Sequence, residues 1–185
     1  MVLPGPARLR DWRPALPAGE LRSISLHWTA RDYDAVFPAY HFCLRGAADV
    51  TVVQTHDLRA NMRDVRLAPD APYAAHTSGR NSWSIGIAVC GMAGARPDDF
   101  GRFPLHDAQI DGLCRVAWAL ADFYGIAPAA IRTHAEAALE DGYFGAGGDE
   151  QRWDIARLAP RPEPLAPIEA TLTGDLLRAR IAALR

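Results

Sequence analysis

Residues 23–29 alternate strictly, with Ile24, Leu26 and Trp28 on one side and Ser25, His27 and Thr29 on the other. That is the period of a half-buried strand whose polar face carries a histidine. Residues 83–90 (WSIGIAVC) are apolar on both sides, which predicts a central strand. Residues 40–45 and 50–54 are rich in β-formers and flank a Gly-Ala-Ala-Asp turn, giving a hairpin. The period then changes. Over 105–124, Ile110, Leu113, Cys114, Ala117, Leu120, Ala121 and Tyr124 recur at steps of three and four, and Gly125 ends the run, which predicts the longest helix. Weaker signals place one or two helical turns at 32–37 ahead of Pro38, a short strand or turn at 131–133 leading into His134, and a turn of helix at 135–139. Residues 59–79 and 143–149 read as loops. The first twenty residues, with four prolines, read as an irregular lead-in.

Strands, one long helix and a loop-rich end predict an α/β domain with a mixed central β-sheet flanked by helices. The expected division is a lead-in at 1–21, one domain at 22–160, and a proline-rich spacer with a terminal helix at 161–185. Net charge is -2 over 185 residues, so nothing electrostatic suggests binding to nucleic acid or to an anionic membrane. No apolar run is long enough for membrane insertion. Residues 1–21 lack a continuous apolar core, so no secretory signal and a cytoplasmic location are expected. Cys43, Cys90 and Cys114 lie far apart in apolar stretches and read as core residues rather than a disulfide framework. All twenty basic residues are arginine. This reflects compositional bias, but any task usually given to lysine must fall to arginine or be lost.

The six histidines, at 27, 41, 56, 76, 106 and 134, contain no HxxxH pair, and the cysteines form no CxxC. Spacing alone therefore leaves a metal site open, since a lone histidine is more often a surface or core residue. Local context adds more. The blocks Ile24-Ser25-Leu26-His27-Trp28-Thr29-Ala30, Tyr40-His41-Phe42, Ala75-His76 through Asn81-Ser82-Trp83-Ser84-Ile85-Gly86-Ile87, Gln109 near the start of the long helix, Tyr124-Gly125-Ile126 and Thr133-His134-Ala135-Glu136 occur in order. Together they resemble the type 2 N-acetylmuramoyl-L-alanine amidases, a superfamily that includes phage lysozyme-like amidases and animal peptidoglycan recognition proteins. The resemblance covers roughly residues 22 to 160.

It implies a peptidoglycan recognition protein/type 2 amidase-like fold and hydrolysis of the amide between N-acetylmuramic acid and L-alanine in peptidoglycan or a muropeptide. It also implies a Zn²⁺ held by His27, His134 and a third ligand matched by Asp154, with Asp149, Asp141 and Glu136 as competitors. Two imidazoles and one carboxylate leave a fourth position for water, the pattern of a catalytic site. Tyr40 matches a tyrosine beside the metal, against a packing role on its strand. Arg152 stands where relatives carry lysine, and could hold an oxyanion but not shuttle a proton. His76 reads as a substrate contact or as loop packing. Arg80 is a candidate for substrate carboxylates, while Trp28 and Tyr73 could stack on sugar, with burial favoured for Trp28. His41 is expected in the core, His56 and His106 at the surface. Ala88 stands where recycling-type members place a glutamate base. That favours a phage- or prophage-type endolysin, with a holin for release, over a cytosolic muropeptide-recycling amidase. A non-catalytic peptidoglycan-binding module is a further alternative.

Overall fold

The computed structural model describes residues 5–145 and 152–184. Its strands are β1 (Ala7–Arg8), β2 (Ser23–Trp28), β3 (Phe42–Arg45), β4 (Thr51–Gln54), β5 (Ser84–Val89) and β6 (Ile131–Thr133). The helices are α1 (Asp107–Tyr124), α2 (His134–Glu140) and α3 (Pro167–Ala182). The strands form one mixed sheet in the order β1-β4-β3-β5-β2-β6. β2 runs parallel to β5 and β6, β5 parallel to β3, and the β3–β4 and β4–β1 pairs are antiparallel. β5 lies between β3 and β2 and is buried along its whole length, as its two-sided apolar pattern requires.

The alternation of β2 sorts its side chains between two environments. Ile24, Leu26 and Trp28 join Ile85, Ile87, Val89, Phe42 and Leu44 in one core with α1 and α3. The other face presents His27, with Ala88 beside it in register, near a small cluster of Tyr40, Cys43, Ala88 and Cys90. α1 ends at Gly125, whose left-handed φ of 65° lets its N–H close on Ala121, a conformation glycine adopts without steric penalty. All three cysteines are free and buried.

Four local readings change. Part of the lead-in is an edge strand, because Ala7 and Arg8 pair with Val52 and Thr51. Residues 32–37 form no helix. Asp32 Oδ1 accepts from the N–H groups of Asp34 and Ala35 at 3.0 and 2.8 Å, so the side chain captures donors a helix would need. In and at the edge of 59–79 two 3₁₀ turns appear at Leu58–Asn61 and Val65–Leu67, with Asp57 and Asp64 accepting from the Arg59 and Arg66 N–H groups. The proline segment at 161–166 is tied down rather than loose. The buried Arg157 guanidinium bonds the carbonyls of Pro97, Arg161, Glu163 and Pro164 and pairs with Glu169 at 2.6 and 2.7 Å. α3 is accordingly seated on the common core through Ala170, Leu177 and Ile181. Of the 143–149 loop, residues 146–149 lie outside the described residues, as do the ends of the lead-in and of the terminal helix.

Candidate metal centre

Two parallel ladders bring the first pair of site residues together. Leu26 on β2 is in register with Thr133 on β6, so the next residues along, His27 and His134, emerge side by side with ring centroids 4.7 Å apart. His134 then starts α2 because Thr133 and Glu136 form a capping box. Thr133 Oγ1 accepts from the Glu136 N–H at 3.1 Å, and Glu136 Oε2 accepts from the Thr133 N–H at 2.9 Å. Each side chain satisfies a donor the first helical turn leaves open. Glu136 is thereby buried and committed elsewhere, pairing also with Arg178 at 2.8 Å.

Asp154 arrives on a sharp turn. Trp153 wedges edge-on against Trp28, centroids 4.6 Å apart, and the Asp154 carbonyl accepts from the Ala135 N–H at 3.1 Å. Ile155, fully buried, holds a φ of 60°. A β-branched residue in the left-handed region is strained by about 1–3 kcal/mol. The burial of Trp153 and Ile155 on either side holds the turn in place. A proline after the aspartate, with φ locked near -65°, could not take this conformation. The product is convergence: Asp154 Oδ2 stands 3.2 Å from His27 Nδ1 and 3.0 Å from His134 Nδ1. One ligand atom from each of the three residues lies within 4.8 Å of the others, and all three residues are buried.

Burial disfavours charge on His27 and pulls its pKa down to about 4, so the ring is neutral at physiological pH. Burial alone would raise the Asp154 carboxyl, but the adjoining imidazoles of His134 and His27 outweigh it and hold the group below the usual carboxylate range. A neutral His27 ring and a buried, ionised Asp154 carboxylate thus coexist at neutral pH. A divalent cation of the zinc type, which takes nitrogen and oxygen donors in a small shell, fits this donor set.

The centre lies at an open cleft of about 710 Å³ whose lining includes Tyr40, Tyr73, His76, Thr77, His134, Arg152 and Asp154. Tyr40 sits over His27, ring centroids 4.9 Å apart, and its hydroxyl donates to the Trp28 carbonyl at 3.2 Å. Burial and the nearby Asp154 push this phenol well above its ordinary range, so it is held as an O–H donor. His76 is 5.6 Å from His27, centroid to centroid. Arg80 is not among the lining residues. Its guanidinium bonds Asp141 twice at 2.6 Å and Glu140 at 2.7 Å, tying one cleft wall to the end of α2. Of the competing acids, Asp141 is in this cluster, Glu136 is in the cap, and Asp149 lies outside the described residues. Trp28 is buried against Trp153 and Phe100, and Tyr73 reaches the cleft. His41 is fully buried, His56 half-buried and His106 exposed.

Sequence reasoning passed over Thr77, whose hydroxyl lies between His27 and His76. The available signal was weak: a polar residue directly after a cleft histidine.

Fold and site together define a mixed-sheet α/β protein with a His–His–Asp cluster open to a groove. The family described as N-acetylmuramoyl-L-alanine amidase matches residues 17–151, and the chain belongs to that family. The match stops three residues short of Asp154, which stands at the site by its geometry. No curated protein matches the chain. Similar solved structures include a complex of the N-acetylmuramyl-L-alanine amidase AmiD from E. coli with anhydro-N-acetylmuramic acid-L-Ala-D-gamma-Glu-L-Lys. It is 22% identical with a TM-score of 0.45, covering 68% of this chain and 53% of that one. The N-acetylmuramoyl-L-alanine amidase LysC from Clostridium intestinale URNW is 16% identical with a TM-score of 0.47, covering 93% and 94%. AmpDh3 from Pseudomonas aeruginosa is 21% identical with a TM-score of 0.49, covering 88% and 63%. The chain thus spans about half the length of the AmiD structure and under two thirds of AmpDh3.

Proposed function

We propose that the protein is a zinc-dependent amidase that hydrolyses the bond between N-acetylmuramic acid and L-alanine in peptidoglycan. One observation carries the reading: His27, His134 and Asp154 converge beside an open cleft, with His27 neutral and Asp154 ionised at neutral pH. Zinc bound there supplies a Lewis acid that polarises the scissile carbonyl and lets bound water lose a proton near neutral pH. The chain's own groups do the rest. Arg152, on the cleft lining, donates to the oxyanion of the tetrahedral intermediate and, always protonated, takes no part in proton transfer. Tyr40, kept as a phenol, donates a hydrogen bond near the reacting centre once it leaves the Trp28 carbonyl. Tyr73, on the cleft lining, is available to stack on sugar.

Ala88 is the direct β5 neighbour of His27. A recycling-type glutamate at that position would face the centre, so its replacement favours the lytic role, with synthesis in the cytoplasm and release by a holin. Digestion of purified sacculi tests the reading. New L-alanine amino termini without new reducing sugars are the expected result. New reducing ends would mean a glycosidase, and stoichiometric zinc uptake with no product would leave a binding module.

A further inference from the structure

We propose that Thr77 is a positioning residue for the metal centre, fixing the ring of His27 through the nitrogen that faces away from Asp154. The inference rests on reading His27 as a zinc ligand through Nδ1. With Nδ1 turned to Asp154, Nε2 points into a fully buried region, where a polar atom needs a partner. Thr77 Oγ1, 3.3 Å away, is that partner. The same oxygen lies 2.9 Å from His76 Nδ1.

A hydroxyl has one proton to give and lone pairs to accept with, so the direction of this chain is determined by the ligand atom. Use of the Nδ1 lone pair places the His27 proton on Nε2, which donates to Thr77 Oγ1. The Thr77 hydroxyl then donates to His76 Nδ1. Reversing the chain would put the proton on His27 Nδ1 and remove the donor lone pair.

Thr77 is itself anchored from behind. Asn81 Oδ1 accepts from the N–H groups of His76 and Thr77 at 3.0 and 2.9 Å. Asn61, fully buried, grips the segment through Asn81 O at 2.7 Å and through both polar groups of the Ala74 backbone at 2.9 and 3.0 Å. Gly86 makes room for the His76 ring, since a Cβ there would stand 2.5 Å from it. A polar buttress thus runs from Asn61 through Asn81 and Thr77 to His27. Groups that hold the remote nitrogen of a ligand histidine typically change metal affinity by about 10–100-fold when removed.

The test titrates metal-free protein with zinc against a chromophoric chelator, comparing the parent with Thr77→Val, Thr77→Ser and His27→Ala. Thr77→Val keeps the shape and removes the hydroxyl, and should weaken zinc binding by about 10–100-fold. Thr77→Ser should restore affinity to within a few-fold, a rescue that packing alone would not give. Parent binding with an equally tight Thr77→Val would overturn the proposal while leaving the zinc reading intact. A parent that takes up no zinc would overturn both. Should the valine variant not fold, long-range ¹H–¹⁵N spectra of the zinc-loaded parent decide the matter. A slowly exchanging proton on His27 Nε2 supports the chain, and one on Nδ1 refutes it.

Discussion

Two pairs of buried histidines lie in this part of the molecule, and only one pair shares an acid. His27 and His134 share a carboxylate oxygen at 3.2 and 3.0 Å. His41 and His76 also lie close together, centroids 5.9 Å apart, and are buried just as deeply. Burial depresses His27, His41 and His76 alike. His41 instead serves the backbone, its ring Nδ1 accepting from the Gly86 N–H at 3.0 Å while its backbone N–H donates to the Gly86 carbonyl at 2.9 Å. Depth and a lowered pKa therefore do not distinguish chemistry from packing here. An acid common to two rings does.

The comparison is broken most forcefully at that acid. Asp154→Ala should abolish zinc binding at micromolar zinc and reduce amide hydrolysis by on the order of a thousandfold, since the metal's contribution is several kcal/mol at about 1.4 kcal/mol per decade. Metal analysis beside a sacculus digest checks it, and retained turnover would mean the cluster is not the centre. Arg152 comes next. Its positive charge bears on both His27 and Tyr40. Arg152→Gln should lower kcat by about a hundredfold with KM little changed, the signature of an interaction made to the transition state. Kinetics on a muropeptide read this directly. A rise in KM alone would move Arg152 from catalysis to ground-state binding.

What was legible in the sequence follows the range of the interactions. The alternation of residues 23–29 set His27 on the polar side of a strand, and the period of 105–124 gave α1, because each pattern is a local response to one buried face. His134 and Asp154 had no such signal. They were legible through family resemblance, since ladder register and a wedge of Trp153 against Trp28 decide their meeting. The seating of α3 escaped notice because prolines suggest a spacer, whereas Arg157 and Glu169 bind that segment to the core. The commitment of Arg80 to Glu140 and Asp141 spans about sixty residues of chain, beyond the reach of any periodic reading. At 32–37 the apolar spacing permitted a helix, but Asp32 offered its backbone a nearer partner.

The smallest effect concerns the pair without a shared acid, and it appears in stability rather than turnover. Burial, reinforced by the charge of His56, lowers the His41 pKa to about 3, against about 6.5 in an unfolded chain. Between those values the unfolded state holds a proton that the folded state does not, so stability is full above about pH 6.5 and declines as pH falls towards 3. The slope from this one ring is up to about 1.4 kcal/mol per pH unit. His41→Asn keeps an acceptor near the Gly86 N–H and removes the titrating group. Urea unfolding of the metal-free protein from pH 7 to pH 4 should therefore show a shallower decline for the variant, by up to that amount per unit, with some stability lost at pH 7 from imperfect packing. Zinc binding at pH 7 should stay within a few-fold of the parent. An unchanged acid slope would mean His41 titrates normally in the folded state. Loss of zinc would join His41 to the centre and dissolve the distinction between the two pairs.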